Sequence, residues 1–179
     1  AAPPRIVQGA HTRLPDRRTA QPSDAAGFIL DASRGFGPQR RLTVLVTGAA
    51  TDVASALLLD PTLAQRIRVV AMGFRSWDAG GTEFNIENDP DAWRVLLASD
   101  VPLVVGDGDT TQRDLSVSRA EVATLVRGTG AIAPWLLRDY DRWYDTLVSK
   151  LDFTKRADGT RAWPLWDHVV LAEVLGLAT

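Results

Sequence analysis

Three short apolar segments rich in β-branched residues recur along the chain, and helical segments separate them. The strand candidates span residues 42–47, 67–72 and 101–106. Short apolar runs that end at glycine or at polar residues are typical of strands buried on both faces of a sheet. Because parallel strands need crossover connections, this alternation predicts an α/β fold with a doubly wound, mostly parallel sheet and helices on both faces.

Capping residues and apolar spacing mark the helices. The candidate N-caps or first residues of four helices are Ser23 or Asp24, Thr51 and Asp52, Asp89 and Pro90, and Ser118. Residues 132–151 predict a long helix, and residues 165–175 predict a final one. Residues 1–22 are rich in Pro, Arg, Thr and Gln, and they predict a loop with at most one short strand near Ile6 and Val7.

Composition restricts the classes of partner and of chemistry. The 20 basic and 22 acidic residues give a net charge of -2, so we expect no nucleic-acid partner. The absence of cysteine excludes disulfides and thiolate chemistry, and two histidines disfavour a histidine-rich zinc site. No apolar run reaches the roughly 20 residues of a membrane span, and no targeting signal is visible. We therefore expect a cytoplasmic protein without a membrane partner.

The chain of 179 residues is long enough for one domain with its own core, and we interpret residues 1–179 as a single α/β domain. It starts with Ala1-Ala2-Pro3-Pro4, without an initiator methionine and without the pattern of a signal peptide. We therefore interpret this end as a cut, processed or internal start. Three strands make a small sheet with open edges. We therefore expect an incomplete sheet within a fragment of a larger domain, whose other strands a further segment supplies.

Polar residues follow the predicted strands at their carboxyl ends, where parallel α/β sheets bind ligands. The first strand leads into Thr47 and Gly48. The second ends at Met72 and leads through a glycine-rich loop to Glu83 and Asn85. The candidate site therefore lies at this edge of the sheet.

Three stretches of the sequence carry a resemblance to a known family. They are LTVLVTGAATDVASALLLDP, RIRVVAMG and TEFNIENDPDAWRVLLASDVPLVV. They are similar to the central part of nucleoside hydrolases, which show a strand ending in Thr-Gly, a Met-Gly turn and a Glu-Phe-Asn segment before Asp-Pro. Trp166-Asp167 matches the His-Asp or Trp-Asp pair near the end of that family, and the resemblance covers roughly residues 5–175.

The resemblance implies hydrolysis of the N-glycosidic bond of ribonucleosides to ribose and free base, in a calcium-dependent α/β enzyme. It implies that the Thr47 carbonyl and the Asp167 carboxylate are calcium ligands, and oxygen donors do suit this cation. It also implies that Met72, Glu83 and Asn85 contact the ribose. Trp166 would stack on the base.

The family draws its catalytic aspartate, which activates a metal-bound water, and most of its calcium carboxylates from an Asp-x-Asp-x-x-x-Asp-Asp motif. This sequence contains no such cluster. We therefore predict no catalytic residue in this chain and no activity of the chain alone. The expected partners are a nucleoside or ribose substrate and the missing N-terminal segment or a partner chain, and we expect a homo-oligomer.

The sequence also departs from the family pattern near the predicted site. Met72-Gly73-Phe74 stands where the family has Met-Gly-Gly. The following loop carries Trp77 and Asp78 in place of the usual asparagine. After the third strand, Asp107-Gly108-Asp109 suits a turn better than a second cation site. We expect these departures to affect the substrate preference and the activity that the family resemblance implies.

The site residues have structural interpretations as well. Asp167 is able to cap the last helix, as Asp52 is able to cap an earlier one. Trp166 is also compatible with the core. Glu83 and Asn85 fall in a polar stretch where solvent exposure is the default. The alternative function is accordingly a non-catalytic binding protein of nucleoside-hydrolase type, or a structural subunit that recruits a partner at its open sheet edge.

Overall fold

The computed structural model describes residues 3–177, which form two compact units. The first unit contains residues 3–108 and 169–177, and the second contains Asp109–His168. The sequence predicts one domain over residues 1–179, and this stays a prediction because it depends on whether the two units pack into one domain. The interpretation of the chain start falls partly on Ala1 and Ala2, which lie outside the described residues.

A three-stranded parallel sheet forms the centre of the first unit. Its strands are β1 (Leu42–Val46), β2 (Ile67–Met72) and β3 (Leu103–Gly106), in the order β1-β2-β3. Val69 pairs with Val44 on one side and with Leu103 on the other. All three predicted strands are confirmed; β3 begins two residues later than predicted, after Pro102, which has no N–H to donate to a neighbouring strand.

Helices of the first unit connect and flank these strands. They are α1 (Asp24–Ala32), α2 (Thr51–Leu59), α3 (Phe84–Asn88), α4 (Pro90–Ala98) and the part of the final helix that follows His168. Two 3₁₀ turns, Ser33–Gly35 and Pro61–Gln65, extend α1 and α2. Ser23 is the N-cap of α1, as predicted, and its hydroxyl accepts from the Ala26 N–H at 3.0 Å.

The main core lies between one face of the sheet and the helices α1, α2 and α4. Ile67, Val69 and Ala71 point to this face because side chains alternate along a strand, and Trp93 of α4 is buried against it. On the other face Val169 lies against Gly106, where an added Cβ would come within 2.4 Å of it. Helices therefore flank both faces, as predicted.

The second unit combines short elements of both types. In chain order they are α5 (Gly108–Asp114, whose first residue belongs to the first unit), β4 (Ser116–Ser118), α6 (Arg119–Val126), α7 (Ala133–Thr146), two 3₁₀ turns (Val148–Lys150 and Asp152–Thr154), β5 (Ala162–Pro164) and α8 (His168–Val174, which continues into the first unit). β4 and β5 pair antiparallel, with Val117 opposite Trp163. Ser118 caps α6, as predicted.

Several predicted boundaries were wrong. The long helix ends at Thr146, because Leu147 leaves the helical region with a φ of -126°. The final helix begins at His168, since Pro164 lies in β5. Residues 84–88 form a helix where a loop was predicted. The described part of residues 1–22 is a loop without a strand, which agrees with the prediction for that segment. Within residues 3–177 no helix has the length and apolarity that a membrane crossing requires.

Candidate functional site

The carboxyl end of the parallel sheet brings the predicted residues of the first unit to one edge. Thr47 directly follows β1 and is exposed. Met72 is the last residue of β2, and it pairs with Gly106 at the end of β3. Asp107 comes next in the chain. This is the edge at which the sequence placed the candidate site.

Met72 and Asn85 are in direct contact. The Asn85 Nδ2 donates to the Met72 carbonyl at 3.0 Å. Asn85 is only 7% exposed, and Met72 is 3% exposed. The Trp93 indole Nε1 donates to the Asn85 carbonyl at 3.2 Å. The prediction that the Asn85 side chain is exposed to solvent was therefore wrong. Asn85 is buried because its side chain connects α3 to the end of β2 through the hydrogen bond to Met72.

Glu83 is the N-cap of α3. Its Oε2 accepts from the Ile86 N–H at 3.1 Å, so one carboxylate oxygen has a structural task. Its Oε1 and the Asn85 Oδ1 take part in no hydrogen bond recorded within residues 3–177. Each residue therefore keeps one oxygen that is able to accept from a ligand hydroxyl.

Asp89 is a buried carboxylate that sequence reasoning recognised only as a helix start. It is fully buried, and its Oδ2 accepts from the Leu14 N–H at 2.8 Å and from the Thr51 hydroxyl at 2.6 Å. Its Oδ1 accepts from the Ala92 N–H at 3.0 Å and so caps α4. Asp89 thereby fixes the start of α2, which follows the Thr47 turn, against the start of α4.

Asp52 does not cap its own helix, so that prediction was wrong. The N-cap position of α2 is Ala50, which makes no side-chain cap hydrogen bond. The Asp52 Oδ1 accepts instead from the Ala10 N–H at 2.9 Å and from the Ser23 hydroxyl at 2.6 Å. Asp52 therefore fastens the N-terminal segment and α1 to α2, partners that lie far away in sequence.

The loop after β2 has an unusual backbone and an aromatic cluster. Phe74 has a φ of 66°, a conformation that costs a non-glycine residue about 1 kcal/mol. Its ring makes edge-on contacts with Trp77 and Trp93, at centroid distances of 5.2 and 5.4 Å. Gly73 is required next to them, because a Cβ there would lie 2.4 Å from the Trp93 ring. Aromatic packing thus holds the strained turn in place.

The turn after β3 supports this loop. The Asp107 Oδ2 accepts from the Trp77 N–H at 2.8 Å, and the Gly108 N–H donates to the Phe74 carbonyl at 2.9 Å. The carboxylate of Asp107 thus has a structural role. No group of three or more His, Asp or Glu side chains within residues 3–177 is arranged to hold a metal ion.

Trp166 and Asp167 belong to the second unit. The Trp166 ring is partly buried and lies 6.4 Å from both the Trp163 and the Phe153 ring centroids. Trp163 in turn packs edge-on against Trp143 at 4.5 Å. Asp167 is exposed, and its carboxylate accepts no hydrogen bond recorded in the described chain. It is therefore not committed to capping α8.

The predicted calcium ligands have suitable chemistry but are too few. Calcium takes about six to eight oxygen ligands. The Thr47 carbonyl and the Asp167 carboxylate provide two kinds of oxygen donor, one from each unit. These two predicted donors fall short of that number, and their role as calcium ligands stays a prediction.

Two cavities lie away from these residues. One of about 540 Å³ opens between the C-terminal ends of α2 and α4, at the opposite end of the sheet from Thr47 and Met72. Another of about 510 Å³ has an apolar lining from α6, α7 and β4 in the second unit. Neither cavity includes a predicted site residue.

Comparison with known proteins gives a consistent family. The family model described as inosine-uridine preferring nucleoside hydrolase matches residues 6–177. The pyrimidine-specific ribonucleoside hydrolase RihB of Shigella flexneri is 28% identical over 149 residues, which is 81% of this chain and 46% of that protein. Its counterpart from Escherichia coli is 30% identical over 129 residues, 70% of this chain and 40% of that protein. The chain spans about half the length of the curated relatives it matches.

Solved structures show the same fold. The purine-preferring ribonucleoside hydrolase from Gardnerella vaginalis matches with a TM-score of 0.63 and 24% identity, over 88% of this chain and 49% of that one. An inosine-guanosine nucleoside hydrolase matches with a TM-score of 0.66 and 22% identity, over 86% of this chain and 48% of that one. At these identities the match concerns the fold alone, and it confirms the predicted α/β class.

Proposed function

Because the chain belongs to the inosine-uridine preferring nucleoside hydrolase family, we propose that it takes part in hydrolysing the N-glycosidic bond of ribonucleosides, which releases ribose and free base. The match over residues 6–177 is the observation that carries this proposal. The sequence resemblance is thereby confirmed as to family. The reaction, the substrates and the partners belong to the proposal, since the relatives are about twice as long.

The cluster at the end of β2 supports a ribose-binding role. Glu83 and Asn85 each keep one oxygen acceptor, and ribose hydroxyls are hydrogen-bond donors. Met72, buried beside Asn85, would bound the apolar side of the sugar. Since Asn85 holds the end of β2 to α3, the acceptors sit on regular elements, whose fixed geometry favours selective binding.

The base would contact Trp166, whose indole is only partly buried. A flat aromatic ring suits a heteroaromatic base, because both bury apolar faces when they stack. The Phe153 and Trp163 ring centroids each lie 6.4 Å from this indole, so aromatic side chains line one side of it.

The proposal includes calcium, with Thr47 and Asp167 among its ligands. Two such donors leave most coordination positions unfilled, and the 179 residues contain no Asp-x-Asp-x-x-x-Asp-Asp cluster. The remaining carboxylates, and the general base, would therefore come from a further segment or a partner chain. We expect the chain alone to be inactive.

The test is ribose release from inosine, uridine and adenosine in the presence and absence of calcium. It compares the chain alone with the chain joined to a nucleoside hydrolase segment that carries the aspartate motif. A matched control replaces the motif aspartates of that segment with asparagine. We expect calcium-dependent ribose release only from the joined chain with the intact motif.

Two results would contradict this expectation in different ways. Ribose release by the chain alone would show that the motif is not needed. No release by any form, with far-ultraviolet circular dichroism showing a folded protein, would refute the hydrolase proposal. It would favour the alternative of a non-catalytic binding or structural subunit.

A further inference from the structure

The most exposed tryptophan at the carboxyl end of the sheet is Trp77. Its side chain is 62% exposed, whereas Trp93 beside it is 1% exposed. A flat ligand that stacks on this indole would remove apolar surface from water, which is favourable.

Trp77 is held in place on its main chain and on its ring. Its N–H donates to the Asp107 carboxylate at 2.8 Å, and the Gly80 N–H donates to the Ser76 carbonyl at 3.0 Å across the same turn. The ring meets Phe74 at an interplanar angle of 81°. An edge-on contact of this kind uses at most one face of the indole, and most of the residue stays exposed.

Phe74 shows that the aromatic support matters for this loop. Its φ of 66° is a conformation that glycine adopts without strain. Glycine would relieve the backbone but would leave no ring between Trp77 and Trp93. Phe74 therefore combines a strained backbone with a ring that contacts both Trp77 and Trp93.

A short series of contacts connects Trp77 to the ribose residues. Phe74 contacts Trp93, Trp93 donates to the Asn85 carbonyl, and Asn85 donates to the Met72 carbonyl. We propose that Trp77 forms one wall of a base-binding subsite, beside the sugar contacts, and takes the flat heteroaromatic base of a nucleoside. This inference rests on the proposed function, and it names a residue that the family resemblance does not assign.

The geometry distinguishes Trp77 from Trp166, the base contact suggested by the resemblance. Trp166 has two aromatic neighbours and is partly buried, whereas Trp77 has Phe74 as its single recorded ring partner within the described residues. An exposed indole is able to stack on any flat base, because each base offers a π-face. Trp77 would therefore strengthen binding of purines and pyrimidines alike.

The experiment is titration calorimetry with inosine and, separately, with ribose, which lacks the base. It uses the chain alone and, with calcium removed, the chain joined to the aspartate segment, because the joined chain is expected to hydrolyse inosine when calcium is present. The variants are Trp77→Ala, Trp77→Phe and the control Leu59→Ala. Leu59 is comparably exposed at 55% but lies at the end of α2, at the opposite end of the sheet.

We expect Trp77→Ala to weaken inosine binding about tenfold and to leave ribose binding unchanged. Trp77→Phe keeps a π-face and should lose less than about threefold. Leu59→Ala should bind both ligands as the unmodified chain does.

The possible contrary outcomes are distinct. Unchanged inosine affinity in Trp77→Ala would overturn this inference and leave the hydrolase proposal standing. An equal loss for inosine and ribose, shared by Trp77→Phe, would also overturn it, since the loop rather than the base contact would be responsible. If neither unmodified form binds inosine or ribose, both the hydrolase proposal and this inference fail.

Discussion

At the scale of single residues, Asp89 connects more of the structure than any predicted site residue does. One fully buried carboxylate satisfies the Leu14 N–H, the Thr51 hydroxyl and the Ala92 N–H. A buried donor that loses its acceptor costs about 1–3 kcal/mol, because it gave up water on folding. Asp89 therefore makes the position of the Thr47 turn depend on that of α4.

We expect Asp89→Ala to lower the free energy of unfolding by about 2–4 kcal/mol, as urea denaturation would measure. The matched control is Asp91→Ala on the same helix. Asp91 pairs with Arg94 at 2.9 Å, but the two side chains are 36% and 60% exposed, so this variant should change stability by less than about 0.5 kcal/mol. Equal losses in the two variants would refute the role given to Asp89.

The sequence predicts the local hydrogen bonds of such residues but not their bonds to partners that are distant in sequence. Asp89 before Pro90 is recognisable as a helix start, because proline favours the first turn. Its bonds to Leu14 and Thr51 cross 75 and 38 residues, and no local pattern encodes them. For the same reason Asp52 was predicted to cap its own helix, whereas its partners are Ala10 and Ser23.

At the scale of elements, the stability of the N-terminal end of α6 depends on pH. Glu121 Oε2 accepts from the Ser118 N–H at 2.7 Å, and Oε1 accepts from Arg156 at 3.1 Å. The hydrogen bond from Arg156 and then the one from the Ser118 N–H lower the pKa of Glu121 from 4.5 to about 2. Since the folded pKa is depressed, the stabilisation is complete above pH 4.5 and is lost as the pH falls toward 2.

We expect Glu121→Gln to be less stable than the unmodified chain at pH 6, by about 0.5 kcal/mol because the pair is well exposed. The difference should shrink steadily between pH 4.5 and pH 2. Urea unfolding at a series of pH values measures it. Asp31→Asn, which removes an exposed pair with Arg34 on α1, serves as the control and should show little effect at any pH. A difference that persists undiminished near pH 2 would contradict the assignment.

Elements were predictable where their pattern is local and long enough. The three parallel strands carry continuous apolar runs, which are typical of strands in a parallel sheet flanked by helices. β4 and β5 have three residues each and pair across more than 40 positions, so neither gives a sequence signal. The helix α3 was missed because its five residues are polar apart from Phe84 and Ile86. The sequence did not predict the hydrogen bonds that Glu83 and Asn85 make at the end of β2, and their role in a site stays a prediction.

At the scale of the whole molecule, the sheet has an open edge. In the described chain β1 pairs with β2 alone, so its other edge offers unpaired backbone groups. Leu45 of β1 points away from the core face and is 42% exposed, and Val104 of β3 is 41% exposed. An open strand edge beside exposed apolar side chains favours association with another chain. The expectation of a homo-oligomer gains a physical basis here, and it stays a prediction.

We expect the 179-residue chain to associate as its concentration rises, and Leu45→Lys to shift it toward the monomer. A lysine on an edge strand opposes pairing, because a second strand would have to desolvate its charge. Sedimentation velocity over a range of concentrations would measure the shift. Leu59→Lys is the control, since Leu59 is more exposed, at 55%, but lies on a helix. Equal effects of the two variants would point to general surface hydrophobicity, and no association of the unmodified chain would refute the role of the β1 edge.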